Sequence, residues 1–206
     1  QANMYFMDYK NQLVLTGALD EVGEPIRTNS GDSYRFGLEV EAAVRLADQW
    51  VWQPNIALSS NKNEEFYFNR DGQLQNLGKT NISYSPAIVG ASNLVYSPNT
   101  VFRIALLTKY VGEQYMGNID ADLSKLKAYL TNDINISYVW TPNSWIKEAQ
   151  FSLLFNNILN ELYSSNGFFY TFDDDYSVPN VITTIEGVGY YPQAGANFLL
   201  GVTFRF

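Results

Sequence analysis

The last nine residues, Phe198-Leu-Leu-Gly-Val-Thr-Phe-Arg-Phe206, place an apolar side chain at every second position. Successive side chains of a β-strand point to opposite faces, so Phe198, Leu200, Val202, Phe204 and Phe206 share one face while Asn197, Thr203 and Arg205 share the other. A strand built this way separates an apolar medium from a wet one. The pattern recurs from Tyr34 to Leu46, where Tyr34, Phe36, Leu38, Val40, Val44 and Leu46 oppose Arg35, Glu39, Glu41 and Arg45. After a tight Ala-Asp-Gln connection, Trp50, Trp52, Ile56 and Leu58 oppose Gln53, Asn55 and Ser59, which predicts a hairpin. It returns at Thr100 to Tyr110, Asp133 to Trp140 and Gln150 to Asn156. Met4 to Thr16 alternates on Tyr5, Met7, Tyr9, Leu13 and Leu15, and Ser83 to Tyr96 is the least regular segment. Together these segments predict about eight strands.

Short turns follow Leu46, Tyr96 and Trp140, the last as Thr141-Pro-Asn-Ser144, whereas long polar stretches follow Thr16, Asn61, Tyr110 and Asn160. Short turns on one side and long loops on the other are the arrangement of a transmembrane barrel. Trp50, Trp52, Trp140 and Trp145 all lie beside short turns, and Tyr34, Tyr84 and Tyr110 lie near the opposite strand ends. Two aromatic belts around an aliphatic band are the girdles expected at two water interfaces. No apolar run approaches the length of about 18 residues that a spanning helix needs, so a membrane reading requires a barrel. The expected fold class is therefore all-β: an antiparallel transmembrane β-barrel portion. A mean hydropathy of -0.18 fits, because alternating strands average out.

Composition narrows the chemistry. With 206 residues, 46% hydrophobic and 16% aromatic, the chain has ample material for a folded domain. A net charge of -8 leaves no basic patch for nucleic acid. The absence of Cys and His removes disulfides, thiolate sites, the commonest metal ligand and the usual general base. No Gly-x-Ser-x-Gly signature occurs, so neither an enzyme nor a cofactor is expected. The opening Gln-Ala-Asn-Met-Tyr-Phe lacks the features of a signal peptide, and the chain is expected to be a piece of something longer or a form cut upstream.

Three stretches carry a resemblance. Met7-Asp-Tyr-Lys-Asn-Gln-Leu-Val-Leu-Thr-Gly17 with Ile26-Arg-Thr-Asn29, then Ser33-Tyr-Arg-Phe-Gly-Leu-Glu-Val-Glu41, look like consecutive strands of one family of barrels. Asn156-Asn-Ile-Leu-Asn-Glu-Leu-Tyr163 followed by Tyr190-Tyr-Pro-Gln-Ala-Gly-Ala-Asn-Phe-Leu-Leu-Gly-Val-Thr-Phe-Arg-Phe206 is similar to its closing pair. The family is the C-terminal barrel portion of TonB-dependent outer-membrane receptors, especially those of Bacteroidetes-type bacteria, and the resemblance covers essentially the whole chain. It implies a barrel of about 22 strands closed by a separate plug. At about 26 residues per strand a full barrel needs roughly 570 residues, making this chain the last third of one, without plug or TonB-contacting segment. The resemblance further implies a bacterial outer-membrane location, lipid around the barrel, and coupling to the TonB complex through an N-terminal region absent here. It implies import of a scarce small solute, a metal chelate or siderophore first, with sugars or peptides as other options. The aromatic-ended terminal strand would signal to the barrel-assembly machinery.

Within that frame Phe168, Phe169, Tyr170 and Phe172, read as part of the longest loop, are candidates for ligand contact, with packing of the loop as the alternative. The adjoining Asp173-Asp174-Asp175 lacks the spacing of a calcium loop, so no metal is expected there. Arg35, Glu39, Glu41, Arg45, Arg103 and Lys109 are expected to form cross-strand ion pairs on a wet inner wall. Asn81-Ile-Ser83 and Asn135-Ile-Ser137 match the glycosylation pattern by chance. Two alternatives stand beside the receptor reading. One is a complete small barrel with an adhesion or structural role, which requires Met4 to Thr16 to pair with Asn197 to Phe206. The other is a soluble ligand-binding barrel with its apolar face turned inward.

Overall fold

The computed structural model describes residues 1–20, 22–29, 31–142 and 145–206. In chain order the strands are β1 (Ala2–Tyr9), β2 (Leu13–Leu19), β3 (Pro25–Asn29), β4 (Ser33–Glu41), β5 (Val44–Ala47) and β6 (Trp50–Asn63). β7 (Tyr67–Arg70), β8 (Gln73–Asn76), β9 (Thr80–Asn81), β10 (Ile88–Tyr96), β11 (Phe102–Val111) and β12 (Gln114–Tyr115) follow. After a short 3-10 turn at Asp122–Ser124 come β13 (Lys125–Leu126), β14 (Tyr129–Trp140), β15 (Glu148–Asn156), β16 (Ser164–Asp174), β17 (Thr183–Pro192) and β18 (Asn197–Arg205). One large antiparallel sheet forms a wall in the order β1-β4-β6-β10-β11-β14-β15-β18, with β5 and β9 also on β6. Its connections alternate as the sequence predicts: short between β5 and β6, β10 and β11, and β14 and β15, and long elsewhere. Asn143 and Ser144 of the predicted last short turn lie outside the described residues.

The register brings the apolar positions into rows on one face. One row runs Phe198, Phe155, Ile134, Leu106, Leu94 and Trp52 across six strands; a second runs Leu200, Leu153, Ile136, Ile104, Tyr96 and Trp50. The face continues through Leu58, Leu38 and Met4 to the β1 edge. A one-residue slip in any strand would turn its whole apolar set to the other face, so this register is strongly specified. An exposed apolar face of this extent is far larger than soluble monomers carry. It needs an apolar medium, and moving a large apolar side chain out of water contributes about 1.5 to 3 kcal/mol. The Trp52 Nε1 donor on this face is satisfied by Ser92 Oγ at 2.8 Å, which a lipid environment requires. The opposite face carries the polar side chains, with Leu107, Leu154 and Leu199 among them: Asn156 Nδ2 donates to Asn197 Oδ1 at 2.9 Å and Asn93 Nδ2 to Gln53 Oε1 at 2.9 Å.

Several expectations change. Met4 to Thr16 is not one strand: the chain turns at Asn11, which adopts φ 53°, and β2 leaves the wall for another sheet. The phase is also reversed, because Met4 pairs Leu38 and Phe6 pairs Phe36 on the apolar face, which puts Tyr5 and Met7 on the polar face. Both faces of β1 carry large side chains, so alternation alone did not fix which faces out. Between β4 and β5 the ladder lapses at Ala42, whose N–H donates to the Pro54 carbonyl; Pro54 has no N–H to return. β10 starts at Ile88 rather than Ser83. β1 and β18 are the two ends of the wall and do not pair with each other, which removes the requirement of the small closed barrel.

The long connections form a layer of their own. β17, β16, β2 and β3 make a second sheet, β16 and β2 meeting at the parallel pair Thr171 and Ala18, while β7–β8 and β12–β13 are small hairpins. The best-buried cluster lies here, not in the wall: Val14, Phe66 and Phe68 pack together with Leu77 and Ile119 against them. The loop layer is therefore a packed body fixed above the wall.

Candidate functional site

The aromatic run placed in a loop by its sequence lies instead on β16, paired along its length with β17. Strand alternation divides it: Phe168, Tyr170 and Phe172 share one face and Phe169 takes the other. Phe169 fills the space beside Gly17 and Gly117. Phe168, Phe169 and Tyr170 come together with Leu15, Met116 and Tyr84 around a cavity of about 320 Å³. Phe172 is not part of that lining.

Tyr84, expected in the aromatic belt of the long-loop side, lies off the wall. It sits in the connection before β10 at φ 51°, and its hydroxyl donates to the Gly167 carbonyl at 2.6 Å. Burial, then the neighbouring Tyr191, push its phenol above the ordinary range, so it remains a neutral donor. Tyr84 also borders a recess in the polar face of the wall, lined by Tyr5, Arg35, Glu39, Asn61 and Ser85. Recesses thus open on the polar face, the reverse of what a soluble barrel with an apolar interior requires.

Arg35 reaches Ser85 Oγ at 2.9 Å and Asn61 Oδ1 at 3.4 Å. No carboxylate pairs with it among the described residues, so the recess keeps a positive group bonded only to neutral acceptors. The expected ion pairs among the six wall charges do not form: Arg45 pairs with the neighbouring Asp48, and Glu39 accepts from Asn3. A cross-strand ion pair does form on the polar face between Glu148 and Arg205, at 3.3 Å in direct register. Asp173 accepts from Thr184 Oγ1 at 2.6 Å, and Asp174 from the backbone of Tyr176 and Ser177, so both carboxylates are engaged within the hairpin.

The remaining named residues fall at the wall's ends. Trp50 and Trp52 open β6, Trp140 closes β14, and Trp145 lies in the following turn, all on the short-turn side. Trp145 stacks on Phe206 at 5.3 Å between ring centroids, and Trp50 meets Tyr96 at 4.5 Å. Phe198, Leu200, Val202 and Phe204 project from β18 on the apolar face, and Phe206 follows the strand.

No family model and no curated protein matches the sequence. Solved structures do match. The chain covers 98% of its length on 24% of the ferric-catecholate import receptor Fiu of E. coli K12, with a TM-score of 0.63 and 14% identity. It covers 99% on 26% of the siderophore receptor PiuA of Acinetobacter baumannii, at 0.65 and 13% identity, and 98% on 28% of the copper transporter OprC, at 0.64 and 17% identity. These are TonB-dependent receptors. The chain has the fold of a TonB-dependent receptor barrel. It spans about a quarter of the length of each of these receptors, 24% to 28%.

Proposed function

We propose that this chain is the C-terminal part of the barrel of an outer-membrane TonB-dependent transporter that imports a metal chelate, supplying wall and extracellular loops. The observation that carries the reading is a register-locked apolar face joined, on one side only, to a packed loop layer with an aromatic cavity opening beside a polar recess that holds Arg35 and Glu39. The apolar face meets lipid, with Trp50, Trp52, Trp140 and Trp145 at the periplasmic interface. β18, with its aromatic end at Phe206, engages the assembly machinery. Energy coupling belongs to a plug and a TonB-contacting segment elsewhere in the receptor. Fiu, PiuA and OprC, described for ferric catecholate, siderophore and copper, support a metal-containing solute.

The test is uptake. Cells lacking the gene should lose radio-iron uptake from chelates, and collapse of the proton-motive force should abolish uptake in the parent. Uptake that persists in both cases refutes the reading.

A further inference from the structure

We propose that the β16–β17 hairpin is a stacking platform for the flat, apolar outer edge of an aryl ring of the imported ligand, with Gly187 and Gly189 setting its geometry; the inference rests on the chelate-transport reading above. Register pairs Phe168 with Gly189 and Tyr170 with Gly187. A Cβ built on Gly189 would fall on the Phe168 ring, and one on Gly187 would fall on the Tyr170 ring, both closer than real contacts allow. Each ring therefore lies down across the ladder on its glycine. Strand side chains otherwise stand roughly perpendicular to the sheet. A ring lying down turns one π-face to the backbone and the other to the open side.

The two rings lie within 20° of parallel, with centroids 6.1 Å apart, and Tyr191 meets Phe168 at 6.0 Å. Phe168 stays 47% exposed although its position is fixed. The hairpin's other face is already used: Phe169 packs at Gly117, Tyr190 donates to the Leu123 carbonyl, and Glu186 pairs with Arg70. Among the described residues, none that lines the cavity at the platform's edge is charged. That suits the apolar edge of an aryl ring and leaves its charged atoms outside the cavity. Offset stacking on a fixed ring suits an aryl group, which makes an aryl-bearing chelate the ligand class.

The test uses the full receptor carrying this chain, in detergent, with intrinsic fluorescence quenching by ferric tris-catecholate, which carries aryl rings, and by ferric citrate, which carries none. Gly189→Val should lift the Phe168 ring and weaken catecholate binding by about tenfold while leaving citrate unchanged. Phe168→Leu keeps the backbone and an apolar side chain, and should do the same if the receptor is folded. Unchanged catecholate affinity in both variants overturns the platform while leaving chelate transport standing. Equal weakening of both chelates overturns it too, as a general loss of loop structure. If neither chelate binds the parent receptor, the chelate reading fails first and the platform with it.

Discussion

At the scale of single residues, the wall makes position and facing decide the cost of a change. Val202 is the middle of the five apolar positions ending the chain, and it pairs with Phe151 on the apolar face. An arginine there would replace an apolar side chain on the apolar face, so Val202→Arg should cost up to about 2 to 4 kcal/mol, the figure for a mid-membrane position. Thr203→Arg, one residue along on the polar face, should be near neutral; urea unfolding of the receptor in lipid vesicles compares the two, and equal costs would refute the facing. Asp174 offers a pH test outside the membrane. The Ser177 hydroxyl and then its backbone N–H hold the carboxyl below its ordinary range. A carboxyl lowered on folding stabilises above its unfolded pKa and loses that contribution as pH falls through the folded value. The hairpin tip should stay ordered at neutral pH and loosen only in strong acid, an effect that Asp174→Asn should abolish in amide exchange of Tyr176 and Ser177. The facing of Val202 was legible from alternation, whereas the place of Tyr84 was not, because its contact with Gly167 spans 83 residues.

At the scale of elements, two hairpins far apart in sequence hold each other. Arg70 of β7 pairs with Glu186 of β17, the Asp71 N–H donates to Thr184 Oγ1 at 2.7 Å, and the Thr184 N–H returns to Asp71 Oδ1 at 2.8 Å. β7–β8 rises between wall strands β6 and β10, and β17 between β15 and β18, so the clasp bridges non-neighbouring parts of the wall. Arg70→Ala removes a partly exposed ion pair and should loosen the clasp by about 1 kcal/mol. Hydrogen exchange should quicken in both hairpins together while β14 and β15 stay unchanged; quickening in β7–β8 alone would show that the hairpins are independent. The wall strands were readable because half-buried strands alternate with period two. The loop strands were not: β2 continues the apparent rhythm of β1 through Leu13 and Leu15 but packs elsewhere, and β16 carries apolar residues on both faces. The signal left unread was Gly187-Val-Gly189 opposite Phe168-Phe-Tyr170, since glycine inside a strand marks close approach by another group.

At the scale of the whole molecule, the wall has two free edges. β1 and β18 each pair on one side only, leaving rows of backbone donors and acceptors that a membrane does not tolerate. Eight wall strands could in principle close on themselves, yet they do not, and the chain spans only 24% to 28% of the receptors whose fold it shares. On the proposed transporter reading, the edges are seams for the strands that complete a larger barrel. The 206 residues refolded alone in detergent should associate through these edges rather than give a 23.4 kDa monomer. Paired cysteines decide between the outcomes: Asn3→Cys on β1 with Thr203→Cys on β18 should give no intramolecular disulfide, because the two strands are not neighbours. A monomer in which that disulfide forms efficiently would mean that the wall closes on itself, and the cavity above it would then belong to a small barrel rather than to a transporter.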